Sequence, residues 1–150
     1  MAQSLSNVLL HIVFSTKNRQ PWIDVEIEEE LFKYIAGICR ELKCPSHKIG
    51  GTDDHIHIAC SLSRTIAISK LVEEIKSSSS KWIKTKDDRF SNFAWQNGYG
   101  AFSIGQSQLS DLCRYIANQR DHHRRSTFQD EYRSLLEKYG IQFDERYVWD

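Results

Sequence analysis

The segment Asp54–Ser61 alternates without a break: Asp-His-Ile-His-Ile-Ala-Cys-Ser. At a period of two, His55, His57 and Ala59 share one face, and Ile56, Ile58 and Cys60 share the other. A strand of this kind demands an apolar layer beneath the isoleucines. Ile56, once buried there, decides where the two imidazoles point. Asn7–Ser15 is a second short run, apolar and β-branched, that suits a buried strand.

Helical spacing fills the intervals. Leu31, Ile35, Ile38, Cys39 and Leu42 recur on one face behind an acidic first turn. This predicts a helix capped at Asp24, running to about Lys43 and stopped by Pro45. His47–Gly51 is a short strand ending in a turn. Ser63 or Thr65 should cap a second helix carrying Ile68, Leu71, Val72, Ile75 and Trp82. Its Ser77–Ser80 run places small residues where something must come close. Asp87–Asn92 is a loop, and the Gly-punctuated stretch Phe93–Ile104 is an irregular strand pair or a bulged strand. Ser107 should cap a third helix with Leu109, Leu112, Cys113 and Ile116. A fourth runs from Ser126 to Tyr139 and is closed by Gly140, and Tyr147 and Trp149 pack onto the body or a partner.

The order describes an α+β fold of the ferredoxin-like type: a split β-α-β-β-α-β antiparallel sheet, two helices on one side, and appended C-terminal helices. The 150 residues, with 2 Pro and no repeat or linker, form one domain over 1–150. No leader and no apolar run of membrane-spanning length are expected, so the chain reads as cytoplasmic. Cys39, Cys44, Cys60 and Cys113 form no C-x-x-C pair and read as reduced packing residues. Basic and acidic residues balance at 20 each, so any polyanion must meet a local patch. Residues 64–90 hold 7 basic and 4 acidic side chains, whereas 24–41 hold 2 and 6. This suggests a polarised molecule. Arg114, Arg120, His122, His123, Arg124 and Arg125 form a further basic cluster. Trp95, Tyr99 and Phe102 are available either for base stacking or for the core.

Two features carry chemistry. His55 and His57, on one strand face, can offer two nitrogen ligands to a single cation, or can be plain strand residues. Tyr115 and Gln119, four apart, are neighbours at one edge of the third helix's apolar stripe. Together they suggest a site in which Gln119 adds a third ligand and the Tyr115 hydroxyl lies beside the cation. Phenol is a weak nucleophile at neutral pH, so it needs a strongly polarised electrophile such as a metal-gripped phosphodiester.

These residues also resemble a known family. Phe14-Ser15-Thr16-Lys17-Asn18-Arg19, Gly51–Ile58, Trp95–Ser103 and Tyr115–Gln119, followed by His122-His123 and Phe128, resemble in order the HUH single-tyrosine transposases of small bacterial insertion sequences. The resemblance implies His55, His57 and Gln119 as metal ligands and Tyr115 as the nucleophile. It implies attack on single-stranded DNA bearing hairpins, a 5′-phosphotyrosine intermediate, and magnesium or manganese as cofactor. It further implies a homodimer in which active sites can be completed in trans. Basic residues expected to hold the DNA are Lys17, Arg19, Lys81, Lys84, Arg114, Arg120 and Arg124. A domesticated HUH nickase, a non-catalytic hairpin-DNA-binding module and a zinc hydrolase using the same histidines are the competing readings.

Overall fold

A computed structural model describes residues 2–150. Its elements are β1 (Leu9–Ser15), α1 (Glu28–Glu41), β2 (Ser46–Gly51), β3 (His55–Ser61), α2 (Ile68–Lys84), β4 (Gly100–Ile104), α3 (Leu109–Ala117), α4 (Gln119–His122) and α5 (Phe128–Lys138). The four strands form one sheet in the order β2-β3-β1-β4, with every neighbouring pair antiparallel. This is the split β-α-β-β-α-β arrangement that the pattern predicts. Among the described residues no helix is long and apolar enough to cross a membrane.

The alternation along the strands decides what each face holds. Leu10, Ile12, Phe14, Ile56, Ile58 and Cys60 turn to one side and are buried with Leu31, Ile35 and Cys39 of α1 and Leu71, Val72 and Ile75 of α2. Full burial of one such aliphatic or aromatic side chain stabilises the fold by about 1.5–3 kcal/mol. His11, Val13, His55 and His57 turn to the other side, and all four are buried. The expectation had two helices on one side and left the other face unassigned. The C-terminal helices cover it: Phe128, Tyr132 and Leu136 of α5 form a second core with Val13 and Phe102.

Several boundaries differ from the sequence reading for local reasons. Asp24 does cap, but its Oδ1 accepts from the N–H groups of Glu26 and Ile27 in a turn that precedes α1. Lys43, at φ 60°, ends that helix, and Cys44 N–H reaches back to the Cys39 carbonyl before Pro45 begins. Ser63 and Thr65 bond to each other in the loop, and Ala67 is the residue before α2. Ser107 lies in a 3-10 turn at Gln106–Gln108, where Gln108 Oε1 accepts from Gly105 N–H. In the Phe93–Ile104 stretch only Gly100–Ile104 is a strand, because Lys76 Nζ gathers the carbonyls of Gln96, Asn97 and Gly98 into a loop. The serine run behaves as expected: buried Ser79 accepts the Trp95 indole N–H at 2.9 Å, so the ring packs against α2.

Two glycines let the C-terminal helices seat closely. A Cβ at Gly50 would stand 2.6 Å from the Ile116 carbonyl oxygen, so β2 and α3 touch backbone to backbone. A Cβ at Gly100 would stand 2.7 Å from Tyr132 Cε1, where α5 crosses β4. Replacing Gly50 with Ala should therefore push α3 off the sheet and destabilise the protein by about 1–3 kcal/mol, the usual range for overpacking. Urea unfolding followed by circular dichroism measures this, and a midpoint equal to that of the native chain would show that α3 is not held at this contact.

Candidate active site

β3 delivers His55 and His57 into the space between the sheet and α3–α5, and both are 0% exposed. Each is held from behind. His55 Nδ1 lies 2.8 Å from Asp54 Oδ1 and 3.1 Å from Thr52 Oγ1. His57 Nδ1 lies 2.7 Å from Nε2 of His11, a buried residue of β1. The Nε2 atoms point forward into the interior.

α3 packs on β2 and β3 and brings Tyr115 and Gln119 over the imidazoles. The helix breaks at Asn118 (φ −99°, ψ 18°) and resumes as α4, yet Tyr115 and Gln119 keep a common direction. Gln119 Oε1 is 2.9 Å from His55 Nε2. The Tyr115 ring stands edge-on to His57, with centroids 5.7 Å apart. All four site residues expected from the sequence thus meet inside one chain.

The group at their centre is Glu131 of α5. Its Oε1 lies 2.9 Å from His57 Nε2, 3.0 Å from His123 Nε2 and 3.5 Å from His55 Nε2. Its Oε2 accepts from Gln119 Nε2 at 2.9 Å and from the Tyr115 hydroxyl. The sequence pattern assigns no role to Glu131, His11 or Asp54, and it offers His122 and His123 as part of a basic cluster and of the family resemblance without naming either as a ligand. A signal for Glu131 is present nonetheless. Phe128, Tyr132, Leu135 and Leu136 form the inward stripe of α5, and Glu131 is an acid inside that stripe.

Electrostatics follow from burial and partners. Burial opposes charge on His55, but its bonds to Asp54 and Glu131 outweigh burial and raise its pKa to about 9. His57 is lowered to about 4 by burial, which the Glu131 carboxylate offsets only in part, with His55 and His123 adding repulsion. His11 is lowered to about 3, by burial first and then by His57. Burial would raise the Glu131 carboxyl, yet hydrogen bonds from His123, His55 and His57 hold it far below the ordinary range. Burial and then the Glu131 charge push the Tyr115 phenol well above its usual value, so it is neutral and donates.

This donor set fits a cation. One ligand atom each from His55, His57, His123 and Glu131 lie within 4.8 Å of one another. Nitrogen and carboxylate ligands stand about 2.0–2.2 Å from a divalent ion such as zinc, so small side-chain shifts would close the set around one. The Gln119 amide oxygen borders the same space.

Residues 4–119 match the family described as Transposase IS200 like. The chain belongs to that family. A transposase-like protein from Deinococcus radiodurans R1 is 16% identical with TM-score 0.62, covering 79% of this chain and 98% of its own. A REP-associated tyrosine transposase bound to a REP hairpin is 16% identical with TM-score 0.61, covering 82% of this chain and 72% of its own. No curated protein matches. The family match ends at Gln119, so His123 and Glu131 lie beyond it.

The expected basic residues divide. Arg124 and Arg125, with His122, line a cleft that reaches Tyr115. Arg120 is tied to Glu28 and Asp53. Arg114 pairs with Asp111 on exposed α3. Lys17 is exposed in the turn after β1, and Arg19 packs over the Trp149 ring at 5.8 Å. Lys81 and Lys84 ride on α2, across the sheet from the histidines, and are not brought to the site. Part of the charge contrast is paired internally, since Lys86 meets Glu30 and Arg89 meets Asp24. Trp95 and Phe102 are buried in the core, which leaves Tyr99 as the exposed ring of the three.

The histidine shifts give stability a distinctive pH dependence in the presence of chelator. His55 binds its proton more tightly folded than unfolded, so its contribution is complete below about pH 6.5 and is lost as the pH rises through about 9. His57 and His11 resist protonation when folded, so stability also falls as the pH drops from about 6.5 toward 4. Urea midpoints should therefore peak near neutrality, and His55→Asn should remove the alkaline decline. A native alkaline arm identical to that of the variant would refute the raised value.

Proposed function

We propose that this chain cuts and rejoins single-stranded DNA at hairpin-bearing ends, using Tyr115 as the nucleophile and a divalent cation held by His55 and His57 together with Gln119, His123 and Glu131. The observation that carries this reading is the convergence of the phenol, the paired imidazoles and the amide on one buried carboxylate within one chain. Family membership and the hairpin-bound relative support the substrate class.

The chemistry proceeds on this chain's own groups. Tyr115 Oη attacks the phosphorus, the bond to the 3′-oxygen breaks, and the 5′-phosphate becomes linked to the tyrosine. The phenol proton already points at Glu131 Oε2, and the departing 3′-oxygen takes up a proton to become a hydroxyl. Rejoining reverses these bonds, so no nucleotide energy source is needed. The cation would supply Lewis-acid polarisation of the non-bridging phosphate oxygens. Three imidazoles and a carboxylate suit manganese or zinc better than magnesium, which prefers oxygen ligands. Arg124 and Arg125 are placed to hold the DNA backbone along the cleft leading to Tyr115. Lys17, Arg19 and Arg114 would add phosphate contacts from the surrounding surface.

Because the groups meet within one protomer, the site needs no second subunit to be complete. A homodimer on DNA would then join two sites that are each whole.

Labelled single-stranded hairpin DNA incubated with the protein and manganese should give a protein-linked band on a denaturing gel. Chelator and Tyr115→Phe should each abolish it, and His57→Ala should abolish cutting while hairpin binding persists. An adduct that survives Tyr115→Phe overturns the reading in favour of a metal hydrolase. Hairpin retention with no adduct under any metal makes the chain a binding module. Mixing Tyr115→Phe with His57→Ala should restore no activity, whereas recovery to about a quarter or more of the native level would show that sites are assembled in trans.

A further inference from the structure

His11 sits behind the site and has no part in the reaction described above. It is 2% exposed, on β1, and its Nε2 is 2.7 Å from His57 Nδ1. The two rings stack at 5.0 Å with 24° between their planes. Phe102 lies on its flank at 6.0 Å and Tyr115 meets it edge-on at 6.3 Å. Strand register explains the pairing. Val13 stands opposite His57, so His11 is the diagonal neighbour on the same face, within reach of a long side chain.

The hydrogen bonds of His57 impose a constraint on His11. The Glu131 carboxylate has no proton to donate, so the 2.9 Å contact to His57 Nε2 requires the hydrogen on that nitrogen. His57 Nδ1 is then a bare acceptor, and His11 Nε2 must donate to it. For His57 to offer its Nε2 lone pair to a cation, its proton must sit on Nδ1 instead. His11 Nε2 must then accept. The buried partner at this position has to donate in one state and accept in the other. A neutral imidazole can do both by moving its own proton between nitrogens, so the contact between the two rings keeps one donor and one acceptor in either state and the pair gains or loses no proton. A carboxylate could only accept, an ammonium could only donate, and an apolar ring could do neither.

We propose that His11 is a positioning residue that switches tautomer together with His57 and so permits the change from a carboxylate-bonded to a cation-binding imidazole. The proposal rests on the reading of the histidine cluster as a cation site, and it stands apart from DNA cleavage. His55 is backed differently: its Nδ1 faces the acceptor Asp54 Oδ1, which keeps a proton on that nitrogen.

Zinc is a suitable probe because it is diamagnetic. In the full-length protein with chelator, nitrogen-15 NMR of the imidazoles should show the His57 proton on Nε2. With zinc it should be on Nδ1, and His11 should carry its proton on Nδ1 as well. Calorimetric titration with zinc should show His11→Phe weakening affinity about 10–100-fold, the usual cost of losing a group that orients a ligand. His11→Gln, whose amide can turn to donate or accept, should stay within about threefold of native. Zinc-loaded His57 lacking a proton on Nδ1, or native-like affinity in His11→Phe, overturns the proposal. If His11→Phe fails to fold, the NMR of the native protein decides alone. If His57→Ala binds zinc as well as native does, the cation-site reading falls and this proposal falls with it. If His57→Ala loses zinc and His11→Phe does not, the cation site stands and only the role of His11 is refuted.

Discussion

One buried carboxylate organises this protein's second face. An ionised side chain moved out of water is costly unless every lone pair finds a partner. Glu131 is tolerated because its two oxygens are met by His57, His123, Gln119 and Tyr115, with His55 close by. The partners come from β3, α3, α4 and the turn before α5, so the carboxylate ties the sheet to three separate helices. It also divides its partners across a single group: His57 and His123 bond at Oε1, and the phenol and amide bond at Oε2, with the His122 imidazole 3.5 Å from that oxygen.

The rest of the architecture can be understood as support for that meeting point. The isoleucines of β3 are buried against α1 and α2, and by period alone this commits the histidines to the opposite side. Missing side chains at Gly50 and Gly100 let α3 and α5 come down onto the sheet, one over β2 and the other over β4. Asp54 and His11 then brace the imidazoles from the strand side.

Much of this was legible in the sequence, and for identifiable reasons. The alternation of Asp54–Ser61 and the helical stripes are local patterns, so the order of elements and the common face of His55 and His57 follow from them. Tyr115 and Gln119 are one helical turn apart and needed only a helix to become neighbours. Glu131 is different, because its partner His57 is 74 residues away and nothing local announces the contact. The acid within the apolar stripe of α5 was the available hint. His11 was hidden by its surroundings: a lone histidine in an apolar strand looks like core. The charge contrast between residues 24–41 and 64–90 is partly cancelled in the fold, where Lys86 meets Glu30 and Arg89 meets Asp24, pairings that composition cannot show.

A single helix, α5, supplies both the buried acid and the apolar cover of the second face, which makes the site sensitive to its loss. A product truncated just before α5 would retain Tyr115, Gln119 and the histidine pair but lack the acid between them and the aromatic cover of Phe128 and Tyr132. The cluster is in this sense complete only in a chain that carries residues 128–138.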